Sequence, residues 1–303
     1  MTLSVAWVRS VGNVQELVFA SDSRLRGGEA WDCCPKILSL PRSDCLVAFA
    51  GSTWWAYPLM LQMAKAVDLY PGSRQRRQDI VSMKAHALRV FEQMTHLVHD
   101  LPDGQSSPDT PDTQFLFGGF SWREGGFRIW HLHFDAHLGR YTFAPTRAWP
   151  GQETGTTKVV AFAGNVAVDA KHRLNRMLRE RGKIDAGGFD MEPFEVLRDM
   201  IRSGKYPTVG GAPQMAKVYR FMRSQSFGVL WPDAEGEVHV DGRPALDYEH
   251  FDAPVIDPDR PEVHARSHIA RIRSMVERDL PDTEEWAAEN EDQLGESDTS
   301  GPI

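Results

Sequence analysis

Strand-like and helix-like patterns are segregated along this chain, and that order restricts the architectures open to it. Ser4, Ala6 and Val8 alternate with Leu3, Val5 and Trp7 in a strand pattern starting at residue 2. VQELVFAS (14–21) follows across a Gly12-Asn13 turn. Short strands are predicted at 36–40 and 45–50. From Thr53 the period changes, with Leu59, Met60, Met63, Ala64 and Val67 at helical spacing. Pro71-Gly72 is expected to stop that helix, and 80–98 supplies another. After a Pro/Ser/Asp loop at 100–112, expected to be mobile, come QFLFGGFSW, GFRIWHLHF, RYTFAPTRAW and TKVVAFAG. Helices near 166–181 and 191–203 precede KVYRFM, SFGVLWP and EVHVDGR. Strands, two helices, strands, two helices, strands: this order predicts an α+β protein whose helices cover faces of mainly antiparallel sheets.

The net charge of −8 over 303 residues misdescribes the folded part. Nine acids and no Lys or Arg lie from Asp279 onward. Without them, 33 of the 42 acids face 34 bases, a body of charge near +1. We therefore expect a domain over 1–252. A 253–303 extension would hold one helix (PEVHARSHIARIRSMVERDL) and a disordered acidic tail. A near-neutral body without clustered Lys and Arg carries no footprint for nucleic acid. No run approaches the roughly 18 apolar residues of a membrane span. The opening lacks a signal-peptide pattern, and Cys33, Cys34 and Cys45 are odd in number without CxxC spacing. A cytoplasmic protein with reduced thiols is expected.

The first strand gives the amino terminus a chemical use. If Met1 is removed, Thr2 carries a hydroxyl and a free α-amine on one residue. That amine titrates near pH 8 in model peptides, so it can accept the hydroxyl proton. The chain end must be fixed, as it would be inside a sheet. A cation nearby would favour the deprotonated amine and hydroxyl; Lys36 can supply it and Asp22 can hold Lys36. A backbone N–H must meet the developing oxyanion, and Gly51, at a strand-to-helix turn, permits close approach. No cofactor or metal is needed.

Four stretches in order (Thr2 opening a strand, Ser21-Asp22-Ser23-Arg24, Pro35-Lys36-Ile37, and Ala48-Phe49-Ala50-Gly51-Ser52 before a helix) resemble the proteasome β-subunit type of amino-terminal-nucleophile hydrolases, including bacterial proteasome-related members. The resemblance runs to about residue 245. It implies a four-layer αββα sandwich and a threonine endopeptidase with Thr2 as nucleophile, Asp22 and Lys36 as charge partners and the Gly51 N–H as oxyanion donor. It also implies a peptide or unfolded-protein substrate bordered by Arg26, Cys34, Phe49 and Thr53. Bulky Phe49 would favour a small residue before the cut bond. Assembly into a homo-oligomeric ring or array, with an unfoldase as possible partner, is implied too. Two stretches depart from the family. Ala163-Gly164-Asn165 stands where a Ser-Gly pair is usual, and YPTVGG (206–211) carries Tyr206 and Val209 where an Asp and a Ser are usual.

Blander readings stand beside this one. The same fold can serve as a catalytically inactive scaffold. His131, His133, Asp135 and His137 share a strand face opposite Trp130, Leu132, Phe134 and Ala136. Ligands along one flat strand diverge, so a polar face, not a zinc site, is expected. Trp54-Trp55 and Cys33-Cys34 are expected to be packing residues. A Lys36→Ala change is expected to leave the fold largely intact.

Overall fold

A computed structural model describes residues 2–101, 103–105, 108–146, 149, 158–185, 187–249, 251–262 and 264–265. In chain order its strands are β1 (Ser4–Val11), β2 (Val14–Ser21), β3 (Leu25–Arg26), β4 (Ala30–Trp31), β5 (Ile37–Ser39), β6 (Cys45–Ala50), β7 (Gln114–Ser121), β8 (Gly126–Asp135) and β9 (Arg140–Pro145). They continue with β10 (Val160–Ala163), β11 (Gln214–Tyr219), β12 (Arg223–Trp231), β13 (Glu237–Val240), β14 (Arg243–Pro244), β15 (Val255–Ile256) and β16 (His264–Ala265). Helices α1 (Thr53–Leu69), α2 (Pro71–Arg74) and α3 (Ile80–Thr95) separate β6 from β7. Helices α4 (Ala167–Glu180) and α5 (Glu192–Arg202) separate β10 from β11. The expected α+β class and the antiparallel pairing hold; the one parallel pair of strands among the described residues joins β12 to β15.

Two larger sheets result. One runs β10-β1-β2-β11-β12-β13-β14, with β15 and β16 at β12; the other runs β5-β6-β7-β8-β9. The two-residue period of the strands sorts their side chains into separate cores. Leu3, Val5 and Trp7 of the first strand pattern join Leu174 and Leu178 of α4 and Phe194 and Leu197 of α5. Ala6, Val8, Leu17 and Phe19 point the other way, to Leu46, Ala48 and Leu116 of the second sheet. On that sheet's far face, Val47, Phe49 and Phe115 meet Leu59, Met63, Met83 and Phe91 of α1 and α3.

Several boundaries differ from the sequence reading. Pro71-Gly72 does end α1 at Leu69, but Pro71 also opens the single turn α2, since proline suits a first helical position. Trp54, expected in the core, is 77% exposed. Strands β3, β4, β14, β15 and β16 are too short to show a period. Past residue 252 the chain still builds the larger sheet: β15 pairs with β12, Ile256 is buried in the helix-facing core, and Asp259 pairs with Arg202 at 2.6 Å. His264 and Ala265, inside the predicted terminal helix, pair with β15 instead. Residues 263 and 266–280 of that predicted helix and all of the acidic tail lie outside the described residues, as do parts of the 100–112 loop and of the segment joining β9 to β10.

Candidate active site

Strand β1 is internal to its sheet, between β10 and β2, so the residues before it are held on both sides. The Leu3 carbonyl accepts from Asp22 N (3.3 Å) and Ser21 Oγ (3.2 Å). Thr2 is 2% exposed. On its other side Gly164, with φ +117°, lies so close that a Cβ there would sit 1.8 Å from the Thr2 carbonyl oxygen. Only glycine combines that backbone angle with that approach.

Asp22 sits one residue past β2, where strand pairing ends and its carboxylate can turn back. Oδ1 accepts from Thr2 Oγ1 (3.1 Å), Leu3 N (3.0 Å) and Lys36 Nζ (3.0 Å). Oδ2 accepts from Arg24 N and Gly210 N, both at 3.1 Å. Lys36 Nζ also donates to the Thr2 hydroxyl and to the Arg24 carbonyl (2.6 Å). Three acceptors thus surround its three N–H groups, the arrangement an ammonium requires. Asp22 and Lys36 are 0% and 1% exposed at their side chains, so this is no surface pair.

The neighbouring chain is pinned as firmly. Gln214 accepts from Lys36 N (2.9 Å) and donates to the Cys34 carbonyl (2.5 Å), fixing the backbone that aims Lys36. Gly51 follows β6 at φ +114°, and a Cβ there would meet the Asp112 carbonyl at 2.3 Å. Thr2, Lys36, Phe49, Gly51, Thr53 and Arg26 line one cleft of about 540 Å³, together with exposed Trp54 and Asp112 and half-buried Thr208.

The structure thus gathers Thr2, Asp22 and Lys36 in direct contact and sets Gly51, Arg26, Phe49 and Thr53 around the same cleft. Cys34 is not among the residues lining it. Its thiol faces the Tyr57 hydroxyl at 2.5 Å, and burial pushes its pKa up, which leaves the thiol protonated. Gly210, Gln214 and the backbone of Arg24 were not predicted as site residues. The glycines of YPTVGG gave a turn signal for the first; nothing in the sequence signals the second.

The histidine face holds only in part: His131, His133 and Asp135 lie on β8, but His137 falls in the turn after it. His131 and His133 stack at 5.4 Å, and His131 is pushed down to about 4 by burial, with His133 and Lys171 adding to the effect. Asp135 Oδ1 accepts from His137 N and Leu138 N in a turn. Among the described residues no three His, Cys, Asp or Glu side chains are placed to hold a metal ion. Nor is any helix among them long and apolar enough to cross a membrane. Compared with known proteins, the chain matches no family model and no curated protein.

The close approach of Gly164 generates a test. Gly164→Ala must displace either β10 or Thr2, at a stability cost of about 1–3 kcal/mol from backbone strain alone. We expect a lower denaturant midpoint. We also expect any Thr2-dependent turnover to fall by about 100-fold, as a 1 Å misplacement can cause. A variant with unchanged midpoint and turnover would show that this contact does not position Thr2.

Proposed function

We propose that this chain is an amide-bond hydrolase, a threonine endopeptidase whose nucleophile is Thr2 once Met1 is removed. The observation that carries the reading is the contact of Thr2 Oγ1 with both Lys36 Nζ and Asp22 Oδ1 in a buried site opening on a cleft. The order of the cores, helices against one sheet, sheet against sheet, helices against the other, supports the four-layer αββα sandwich of amino-terminal-nucleophile hydrolases.

In this reading Lys36, with all three N–H groups engaged, is not the base. That role falls to the freed α-amine of Thr2, which takes the hydroxyl proton as Oγ1 attacks the substrate carbonyl. Lys36 lowers the energy of the developing alkoxide and Asp22 fixes Lys36. The Gly51 N–H meets the oxyanion, a donor worth about 3 kcal/mol when preorganised. Collapse returns the proton to the leaving amine and leaves an ester on Thr2, which water hydrolyses. The cleft would take an extended peptide or unfolded segment over Phe49, in the cytoplasm.

A second reading, an inactive scaffold on the same fold, draws on the departures. Ala163 and Val209 are buried and apolar, and the Tyr206 hydroxyl donates to Asp169 (3.2 Å). No extra hydroxyl or carboxylate from those positions supports the amine.

Enclosure of Thr2 in a ring or array of copies would keep such a nucleophile from folded neighbours, with an unfoldase as possible feeder. Exposed Leu61 and Leu69 on α1 and Val168 on α4 give the outer helices apolar contacts for it. Sedimentation is expected to show a closed oligomer; a monomer at every concentration would remove the assembly claim.

Variants separate the catalytic reading from the scaffold reading. Thr2→Ala should abolish hydrolysis of fluorogenic peptides with little change in fold. Lys36→Arg should lose at least 100-fold, because a guanidinium cannot replace a compact ammonium with three fixed acceptors. Near-normal turnover in either variant would overturn the role assigned to that residue. Lys36→Ala is a poorer probe than the sequence suggested. It strands the buried Asp22 carboxylate, a loss of about 3–5 kcal/mol.

A further inference from the structure

At the opposite end of β6 from Gly51 lies a second cavity, of about 430 Å³, lined by Arg42, Ser43, Arg74, Arg76 and Ser224 with Leu40 and Pro41. Six residues of strand separate its rim from the catalytic cleft, about 20 Å at 3.3 Å per residue. Three arginines and two hydroxyls line it, and no carboxylate does.

The arginines are unequally satisfied. Arg42 is 4% exposed and forms a bidentate pair with Asp44, Nε to Oδ1 and Nη2 to Oδ2 at 2.6 Å each, while Nη2 also donates to the Gln78 carbonyl (3.0 Å). Its Nη1 is buried and has no hydrogen-bond partner among the described residues. A buried N–H left unpaired is costly, and more so when the group is charged. Such an atom calls for a missing acceptor. Arg76 Nη1 donates to Ser43 Oγ and to the Met222 carbonyl, both at 3.0 Å; among the described residues no carboxylate pairs with it. Among the described residues, the carboxylate that pairs with Arg74 is that of Asp68, at 3.5 Å.

The backbone beneath is strained where these groups meet. Arg76 (φ +59°) and Met222 (φ +57°) are two of the four non-glycine residues in the left-handed region among the described residues, and they are hydrogen-bonded to each other. Strain of this kind persists where surrounding contacts impose it and concentrates at ligand sites.

We propose that this cavity binds a phosphate-type oxyanion, carried by a small phosphorylated molecule. Guanidinium forks match phosphate oxygens in pairs, and the free N–H groups of Arg42 and Arg76 supply the donors. The Ser43 and Ser224 hydroxyls lie beside them. The volume exceeds what a bare phosphate fills, which leaves room for the group that bears it. The site is independent of the role given to Thr2.

Isothermal titration of the full chain with inorganic pyrophosphate and with glycerol phosphate, at matched ionic strength, tests this. We expect saturable binding of one anion per chain to at least one of the two. The dissociation constant should rise tenfold or more in Arg76→Gln and should also rise in Arg74→Gln, a substitution at an exposed side chain that the fold tolerates. Tighter pyrophosphate binding would indicate an anhydride ligand and tighter glycerol phosphate binding a monoester; both support the site. No saturable binding of either probe, or affinities unchanged in both variants, would overturn it.

Discussion

Lys36 Nζ and Asp22 Oδ1 stand 3.0 Å apart where neither side chain reaches water, and much of the surrounding structure serves that pair. Removing two charges from water costs several kcal/mol per ion, which mutual attraction offsets only when every remaining donor and acceptor is met. Here that condition holds. Asp22 accepts five hydrogen bonds, from Thr2, Leu3, Lys36, Arg24 and Gly210, and the three N–H groups of Lys36 find Thr2, Asp22 and Arg24. A hydrophobic replacement of the whole cluster would be no less stable on these terms. Stability alone therefore does not account for a charged pair at this place, whereas the proposed activation of the Thr2 hydroxyl would.

Holding the pair requires segments distant in sequence to converge, and the sheets provide this. Ends of β1, β2 and β6 lie at the same edge of the sandwich, so residues 2, 22 and 51 meet there. Gly210 and Gln214 bring the approach to β11 against them. Gly164 closes the far side against the Thr2 carbonyl. Because β1 is flanked by β10 and β2, the residues that lead into it are held as those beside an internal strand are.

Much of this was legible because the signals are local. The alternation in residues 3–8, the turn at Gly12-Asn13 and the apolar run at 45–50 place β1, β2 and β6 within a residue or two, and with them Thr2, Asp22, Lys36 and Gly51. The supports were not legible, because Gly210 and Gln214 act across separations of 188 and 178 residues. Trp54 misled because an aromatic opening a helix ordinarily packs beneath a sheet, and here the helix opens at the cleft rim. Cys34 misled differently: it lies two residues from Lys36 but outside β5, where no strand alternation fixes its direction, and its thiol turns to Tyr57. Residues past 252 looked separable from composition, and two-residue strands such as β15 carry no period to say otherwise.

The account stands on the identity of the first residue and on its reactivity, and one measurement reads both. Purified protein is treated with an electrophilic probe for nucleophilic hydroxyls, and its amino-terminal peptide is then sequenced by mass spectrometry. The predicted peptide begins at Thr2 and carries the probe on that threonine. A peptide that retains Met1, or a probe found elsewhere with Thr2 unmodified, would contradict the claim that Thr2 is the nucleophile.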